Sequence, residues 1–203
     1  MTTAHRIGKA TRKTLEAEID VELRLDTPGC EISISSVIGE PGIQVEMARH
    51  FLEQLHRFSE IGGKITAEGR DFSHHSIEDM AICWGQALRQ ALGDKKGIRR
   101  TAIHIMPMEG TIVTVALDLS GRPFATLDFR IPGTPMSEMV RHILTDIAMY
   151  GLLDLYVKVE YVGDNAIRLE HHALETIGKA LGIVLNKAMQ VVGAEVPSTK
   201  GTL

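Results

Sequence analysis

At 203 residues, with 44% hydrophobic and 24% charged residues, the chain can bury a sizeable core without disulfide staples. A net charge of −4, a pI near 6.1 and only 4% aromatic residues argue against the basic field and stacking platforms of a nucleic-acid binder. No apolar run approaches the roughly 20 residues needed to cross a bilayer, residues 1–13 lack the apolar stretch of a secretory signal, and Cys30 and Cys83 have no metal-ligand spacing. A reducing cytoplasm is the expected compartment.

Residues 14–25 alternate in the strand manner, with Leu15, Ile19, Val21, Leu23 and Leu25 at odd positions. The turn residues Asp26-Thr27-Pro28-Gly29 lead to a second strand at 30–37, and the two are expected to form a hairpin. Residues 43–59 carry Met47, Phe51, Leu52 and Leu55 at helical spacing. Gly62-Gly63 stops this helix, a short strand follows at 64–68, and a second helix spans 76–92 before Gly93. Strands are then expected at 101–106, 111–119 and 123–131, a helix at 137–152, a strand at 154–161 and a helix at 171–191.

The order strands, helix, strand, helix occurs twice, and the motifs repeat with it. His74-His75-Ser76-Ile77-Glu78 recurs 97 residues later as His171-His172-Ala173-Leu174-Glu175, and Arg49-His50-Phe51-Leu52 recurs 92 residues later as Arg141-His142-Ile143-Leu144. These repeats imply an α+β fold of two pseudo-symmetric halves, about 10–97 and 98–195. Each half would be a mostly antiparallel or mixed sheet with two helices on one face, joined in a single domain that ends in a tail at 196–203. The two sheets could pack through their helices.

In His-His-x-x-Glu at a helix start, the second histidine and the glutamate share a face while the first histidine projects from the preceding loop. Imidazole and carboxylate can then converge on a Mn, Fe, Co, Ni or Zn ion. Each half supplies three histidines and one glutamate: His50, His74, His75 and Glu78 in the first, His142, His171, His172 and Glu175 in the second. A lone His-His pair is more often a solvated surface feature. Retention of the same ligand types in both diverged halves favours metal, and pseudo-symmetry predicts two ions, one dominated by each half. His56 and His104 lack partner motifs and read as structural or exposed, while His5 belongs to the terminus. A cationic cradle for phosphate has candidates in Arg100, Arg122, Lys179 and the tail Ser198-Thr199-Lys200-Gly201, although surface ion pairs and a disordered tail would explain the same residues.

Taken together, these motifs resemble the imidazoleglycerol-phosphate dehydratase family, in order, from about residue 12 to 203. The resemblance is carried by Glu16 in Arg12-Lys13-Thr14-Leu15-Glu16, by His50, by both His-His-x-x-Glu motifs with Lys179, and by residues 91–100. Pro107-Met108-Glu109, Asp118-Leu119-Ser120-Gly121-Arg122-Pro123 and Pro197-Ser198-Thr199-Lys200-Gly201 complete it. It implies a manganese enzyme of histidine biosynthesis, with two Mn2+ per site, that dehydrates imidazole glycerol phosphate to imidazole acetol phosphate in a 24-subunit shell with sites between subunits. By the same resemblance Glu16 is the acid/base residue, with His75 and Glu175 in the catalytic group. Arg100, Arg122, Lys179, Ser198, Thr199 and Lys200 would contact the substrate and its phosphate.

The chain departs from the family pattern at Arg49 where an acid is expected, at Gly110 where a carboxylate is lost and at Tyr156 where a histidine is expected. Residues 164–170 form a longer lead-in to the second His-His pair, and Pro41-Gly42-Ile43-Gln44-Val45-Glu46 replaces a Thr-Gly-rich lead-in to His50. Two alternatives stay open on the residues alone. One is a paralogue with the same fold and metal ligands acting on another small phosphorylated substrate, and the other is a non-catalytic metal- or ligand-binding relative.

Overall fold

The computed structural model describes residues 6–35, 42–129, 135–161 and 166–203. The first half contains β1 (Ile7–Lys13), β2 (Ala17–Arg24), β3 (Cys30–Ser35), α1 (Gly42–Ser59), β4 (Gly62–Gly69) and α2 (Ser73–Leu92). The second half repeats the order with β5 (Thr101–Met108), β6 (Thr111–Asp118), β7 (Phe124–Asp128), α3 (Pro135–Gly151), β8 (Asp154–Tyr161) and α4 (Ala166–Met189). Each half forms one mixed sheet, in the orders β1-β2-β4-β3 and β5-β6-β8-β7. The α+β duplication expected from the repeated motifs is therefore present strand for strand.

The expected hairpin between residues 14–25 and 30–37 does not form. β2 pairs antiparallel with β1 on one side and β4 on the other, and β3 lies beyond β4, parallel to it. The physical reason is α1: a strand followed by a helix returns to the sheet by a crossover, which places β3 and β4 side by side in parallel. The true hairpin partner, β1, has only Gly8 and Ala10 to turn toward the interior, so its sequence carries no apolar alternation. Residues 36 and 37 of the expected second strand, and 130 and 131 of the expected strand at 123–131, lie outside the described residues. So does His5.

One face of each sheet is apolar. Ala17, Ile19, Val21 and Leu23 of β2 are buried, as are Val113, Val115 and Leu117 of β6, while the intervening residues point outward. Over these faces lie the helices, α2 on β1 and β2 and α4 on β5 and β6. The two halves meet through their helices, α1 against α4 and α2 against α3, with a continuous core that includes Trp84, Phe51, Leu52 and Leu144. Close approach of α4 to α1 is set by Gly178 and Gly182. A Cβ at Gly178 would lie 2.9 Å from the Phe51 carbonyl oxygen, and one at Gly182 would lie 2.6 Å from that of Leu55. Among the described residues no helix is long and apolar enough to cross a membrane.

Candidate active site

The helix pairing brings together ligand-type side chains from opposite halves. His50 sits next to Phe51 on α1, and Glu175 sits one turn before Gly178 on α4, so the glycine-mediated contact carries both to one place. Glu175 Oε2 lies 3.7 Å from His50 Nε2 and 3.6 Å from His171 Nε2. The His50 and His171 rings stack at 5.4 Å, and the three ligand atoms all fall within 4.8 Å of one another. Lys179, one turn beyond, donates to Glu175 Oε1 at 2.7 Å. Burial pushes the Glu175 carboxyl up, but the Lys179 ammonium with His50 and His171 outweighs it, holding the group below its ordinary value.

The pseudo-symmetric group lies between α2 and α3. His74 Nε2 is 3.5 Å from Glu78 Oε2, and the His74 ring meets that of His142 edge-on at 5.1 Å. Asp146, one turn past His142, is half-buried, and burial with the nearby Glu78 charge pushes its carboxyl up to about 6. Two sequence expectations change here. Both histidines of each His-His motif lie within a helix, because α2 begins at Ser73 and α4 at Ala166, and it is the first histidine that reaches the glutamate, four residues on. Neither triad belongs to one half: His50 joins His171 and Glu175, while His142 meets His74, whose own carboxylate neighbour is Glu78.

His75 and His172 face elsewhere. His75 Nδ1 lies 2.9 Å from Asp71 Oδ2 and 3.7 Å from Glu16 Oε2, Glu16 being in the exposed turn between β1 and β2. The Asp71 hydrogen bond, with the charges of Asp71, Glu16 and Glu78, outweighs desolvation and raises the His75 pKa. In the second half His172 Nε2 lies 3.5 Å from Glu109 Oε2, in the matching turn between β5 and β6. Asp71, Asp146 and the Glu109 counterpart of Glu16 were not singled out as site residues in the sequence. The available signals were the four-residue spacings Asp71 to His75 and His142 to Asp146, and the equivalent turn position of Glu109.

Arg100, Arg122, Ser198, Thr199 and Lys200 line a second feature, a cleft of about 560 Å³ shared with Ser120, Pro197, Thr202 and Leu203. Arg100 makes a two-pronged ion pair with Asp118, at 2.7 and 2.9 Å, and donates to the Pro197 carbonyl at 2.8 Å. This pair fixes the guanidinium and ties down the tail, which turns on itself through Gly201 N–H to Ser198 O at 3.0 Å. Lys179 is not part of this cleft. Because Arg100 N–H bonds the carbonyl of Ala188, the cleft sits at the C-terminal end of α4, roughly 20 Å along the helix from Glu175 at 1.5 Å per residue.

A family model described as imidazoleglycerol-phosphate dehydratase matches residues 43–140. The imidazoleglycerol-phosphate dehydratase of Methanothermobacter thermautotrophicus is 36% identical over 209 aligned residues, covering 100% of both chains. The chain belongs to the imidazoleglycerol-phosphate dehydratase family. A dehydratase of the same name from Jannaschia sp. is 37% identical over 207 residues, covering 98% of this chain and 100% of the relative. Among solved structures, the Pyrococcus furiosus protein of this family in complex with (S)-C348 superposes with a TM-score of 0.77 at 28% identity, covering 96% of this chain and 100% of that one. The Staphylococcus aureus dehydratase shares the fold at a TM-score of 0.70 and 22% identity, covering 93% and 99% of the two chains.

Within this dehydratase-family chain the departures have local explanations. Arg49 ion-pairs with Glu46 and Glu53 on its own helix, so its charge is balanced beside His50. Gly110 has φ +88 in the tight turn between β5 and β6, a conformation that glycine adopts without steric cost and that a residue with a Cβ adopts only under strain. Tyr156 lies between the buried Leu155 and Val157 on β8 and so points to the outer face of its sheet, away from the helix layer that holds the triads. His56 is structural: it is buried, with Nδ1 2.8 Å from the Ile61 carbonyl oxygen and Nε2 accepting from Trp84 Nε1–H at 3.0 Å. His104 lies half-buried on β5. Of the longer lead-in, 164 and 165 lie outside the described residues.

Proposed function

We propose that this chain dehydrates imidazole glycerol phosphate to imidazole acetol phosphate, in histidine biosynthesis, using two divalent metal ions, for which manganese is the family expectation. Family membership across the full chain supports the reaction. The observation that carries the metal reading is the cross-half triad His50/His171/Glu175, whose ligand atoms all lie within 4.8 Å of one another, with a looser duplication counterpart in His74, Glu78 and His142.

The donor sets fit divalent transition metals. Each triad offers two imidazoles and a carboxylate, and His50 Nε2 is buried among the described residues without a hydrogen-bond partner, as a nitrogen kept for a cation would be. A bound ion there would act as a Lewis acid on the substrate's imidazole ring, supplying the electron sink for the reaction. The protein's own groups move the protons. Glu16 takes the proton from the middle carbinol carbon as the hydroxyl leaves the ring-bearing carbon with a proton as water. The resulting enol becomes the ketone by gaining a proton at the ring-bearing carbon as the enol oxygen gives one up. Arg100, Arg122, Ser198, Thr199 and Lys200 hold the phosphate, the arginines by charge and fork geometry and the tail by its hydroxyls and N–H groups.

A three-carbon phosphate cannot stretch the roughly 20 Å from the triads of one copy to the cleft of that same copy. His75 and His172, outside both triads, stand ready to serve another copy. Together these support a homo-oligomer with shared sites, and the family expectation is a 24-subunit shell working in the cytoplasm.

Elemental analysis of manganese-loaded protein tests the metal reading. Two ions per chain are expected, with Glu78→Gln and Glu175→Gln each losing one. A folded wild type that retains no ion would refute it.

A further inference from the structure

The two halves treat their remaining histidines differently, and the difference lies outside the duplicated motif. His75 Nδ1 makes a 2.9 Å hydrogen bond to Asp71, which stands four residues earlier, just ahead of α2. The edge of its ring meets Phe72 at 6.2 Å, so the imidazole is held on two sides. A carboxylate beside Nδ1 requires that nitrogen to carry the proton, which leaves the lone pair on Nε2. His75 is 33% exposed, so part of its ring remains open to another copy of the chain.

Among the described residues His172 has no such arrangement. Its carboxylate neighbour, Glu109, faces Nε2 instead, at 3.5 Å, and Nδ1 is buried without a hydrogen-bond partner among the described residues. The residue four before His172 is Arg168 rather than an acid. Among the described residues the first half alone has an Nδ1-directed acid, and Asp71 takes no part in either triad.

We propose that Asp71 is a positioning residue for His75, fixing the ring in the Nδ1–H tautomer with Nε2 presented as a metal donor to a triad of a neighbouring copy. This rests on the di-metal reading above. A carboxylate on the far nitrogen orients a ligating histidine and raises its basicity, and loss of such a partner typically weakens metal binding about 10–100-fold. Asp71 then sets how tightly one of the two metal positions is held without touching the ion itself.

The test is manganese affinity of the intact, full-length protein, read as free Mn2+ by electron paramagnetic resonance, for the wild type, Asp71→Ala, Asp71→Asn and His75→Ala. Asp71→Ala is expected to weaken one class of sites by about 10–100-fold. Asp71→Asn should lose less, because its amide oxygen still accepts from Nδ1–H, and it carries the test if the alanine variant does not fold. Nitrogen NMR of histidine-labelled, metal-free protein should show the fixed Nδ1–H tautomer of one ring in the wild type and its loss in Asp71→Ala. Wild-type affinity in Asp71→Ala while His75→Ala loses it would overturn the role of Asp71 and leave the di-metal reading standing. Unchanged affinity in His75→Ala would overturn the inference through His75 itself, and a wild type that binds no manganese would overturn the functional reading beneath it.

Discussion

Lys179 holds one oxygen of Glu175 at 2.7 Å and leaves the other to His50 and His171. The corresponding position in the first half, four residues past Glu78, is the uncharged Ile82. A cation at that triad would feel repulsion from Lys179 that its twin does not. Lys179→Met is therefore expected to tighten manganese binding at one site class several-fold while raising the KM for substrate, if the ammonium also reaches phosphate from a neighbouring copy. Calorimetric metal titration read beside steady-state kinetics separates the two effects. Weaker metal binding with an unchanged KM would assign Lys179 solely to orienting Glu175.

Glu16 lies in an exposed turn, 3.7 Å from His75, with its carboxylate supported by no structural ion pair among the described residues other than that contact. Removing its basicity should leave the fold alone. Glu16→Gln is expected to lower kcat by about 10²–10⁴-fold, the usual range for a general acid or base, with metal content and melting temperature unchanged. Retained turnover would transfer the proton role to another carboxylate, Glu109 being the matching turn residue of the second half.

His56 gives the pH dependence of stability. Burial pushes its pKa from 6.5 down to about 4, the Ile61 hydrogen bond opposing this only in part. Between those values the unfolded chain binds a proton that the native chain does not, so stability is full above pH 6.5 and falls as the pH drops toward 4. The loss reaches roughly 3 kcal/mol at 1.36 kcal/mol per pKa unit. Thermal melts of the wild type and His56→Asn from pH 7.5 to 4.5 should show a shallower acid slope in the variant. Parallel slopes would mean that His56 does not carry this linkage.

Gly97 ties the C-terminal tail to the body of the chain. Its φ is +73, a Cβ there would lie 2.2 Å from the Gly193 carbonyl oxygen, and its backbone bonds Val192, Gly193 and Glu195. Gly97→Ala should cost about 1–3 kcal/mol in denaturant unfolding and raise KM more than it lowers kcat, because the segment it anchors leads to Pro197 and Ser198. A stability loss with no change in KM would detach this loop from substrate binding.

The sequence was most legible where periodicity and repetition coincide. Helices α1 and α2 and strands β6 and β8 follow from their apolar spacing, and the repeated His-His-x-x-Glu motifs foretold the duplicated topology. β1 is hidden because small residues, Gly8 and Ala10, do its packing, and β2 and β3 do not pair because closeness in sequence does not rank pairing partners once a crossover helix intervenes. The grouping of His50 with Glu175 depends on α1 crossing α4, a contact between residues 125 positions apart that no local pattern encodes. Asp71 is silent in the sequence for a related reason: a lone acid before a helix gains meaning only through its hydrogen bond to His75.

The most direct measurement is turnover of imidazole glycerol phosphate by purified, manganese-loaded protein, following the ketone product before and after chelation. The expected result is steady production of imidazole acetol phosphate that stops on chelation and returns when manganese is added back. Protein that holds its metal and its fold yet forms no ketone would contradict the dehydratase assignment for this chain.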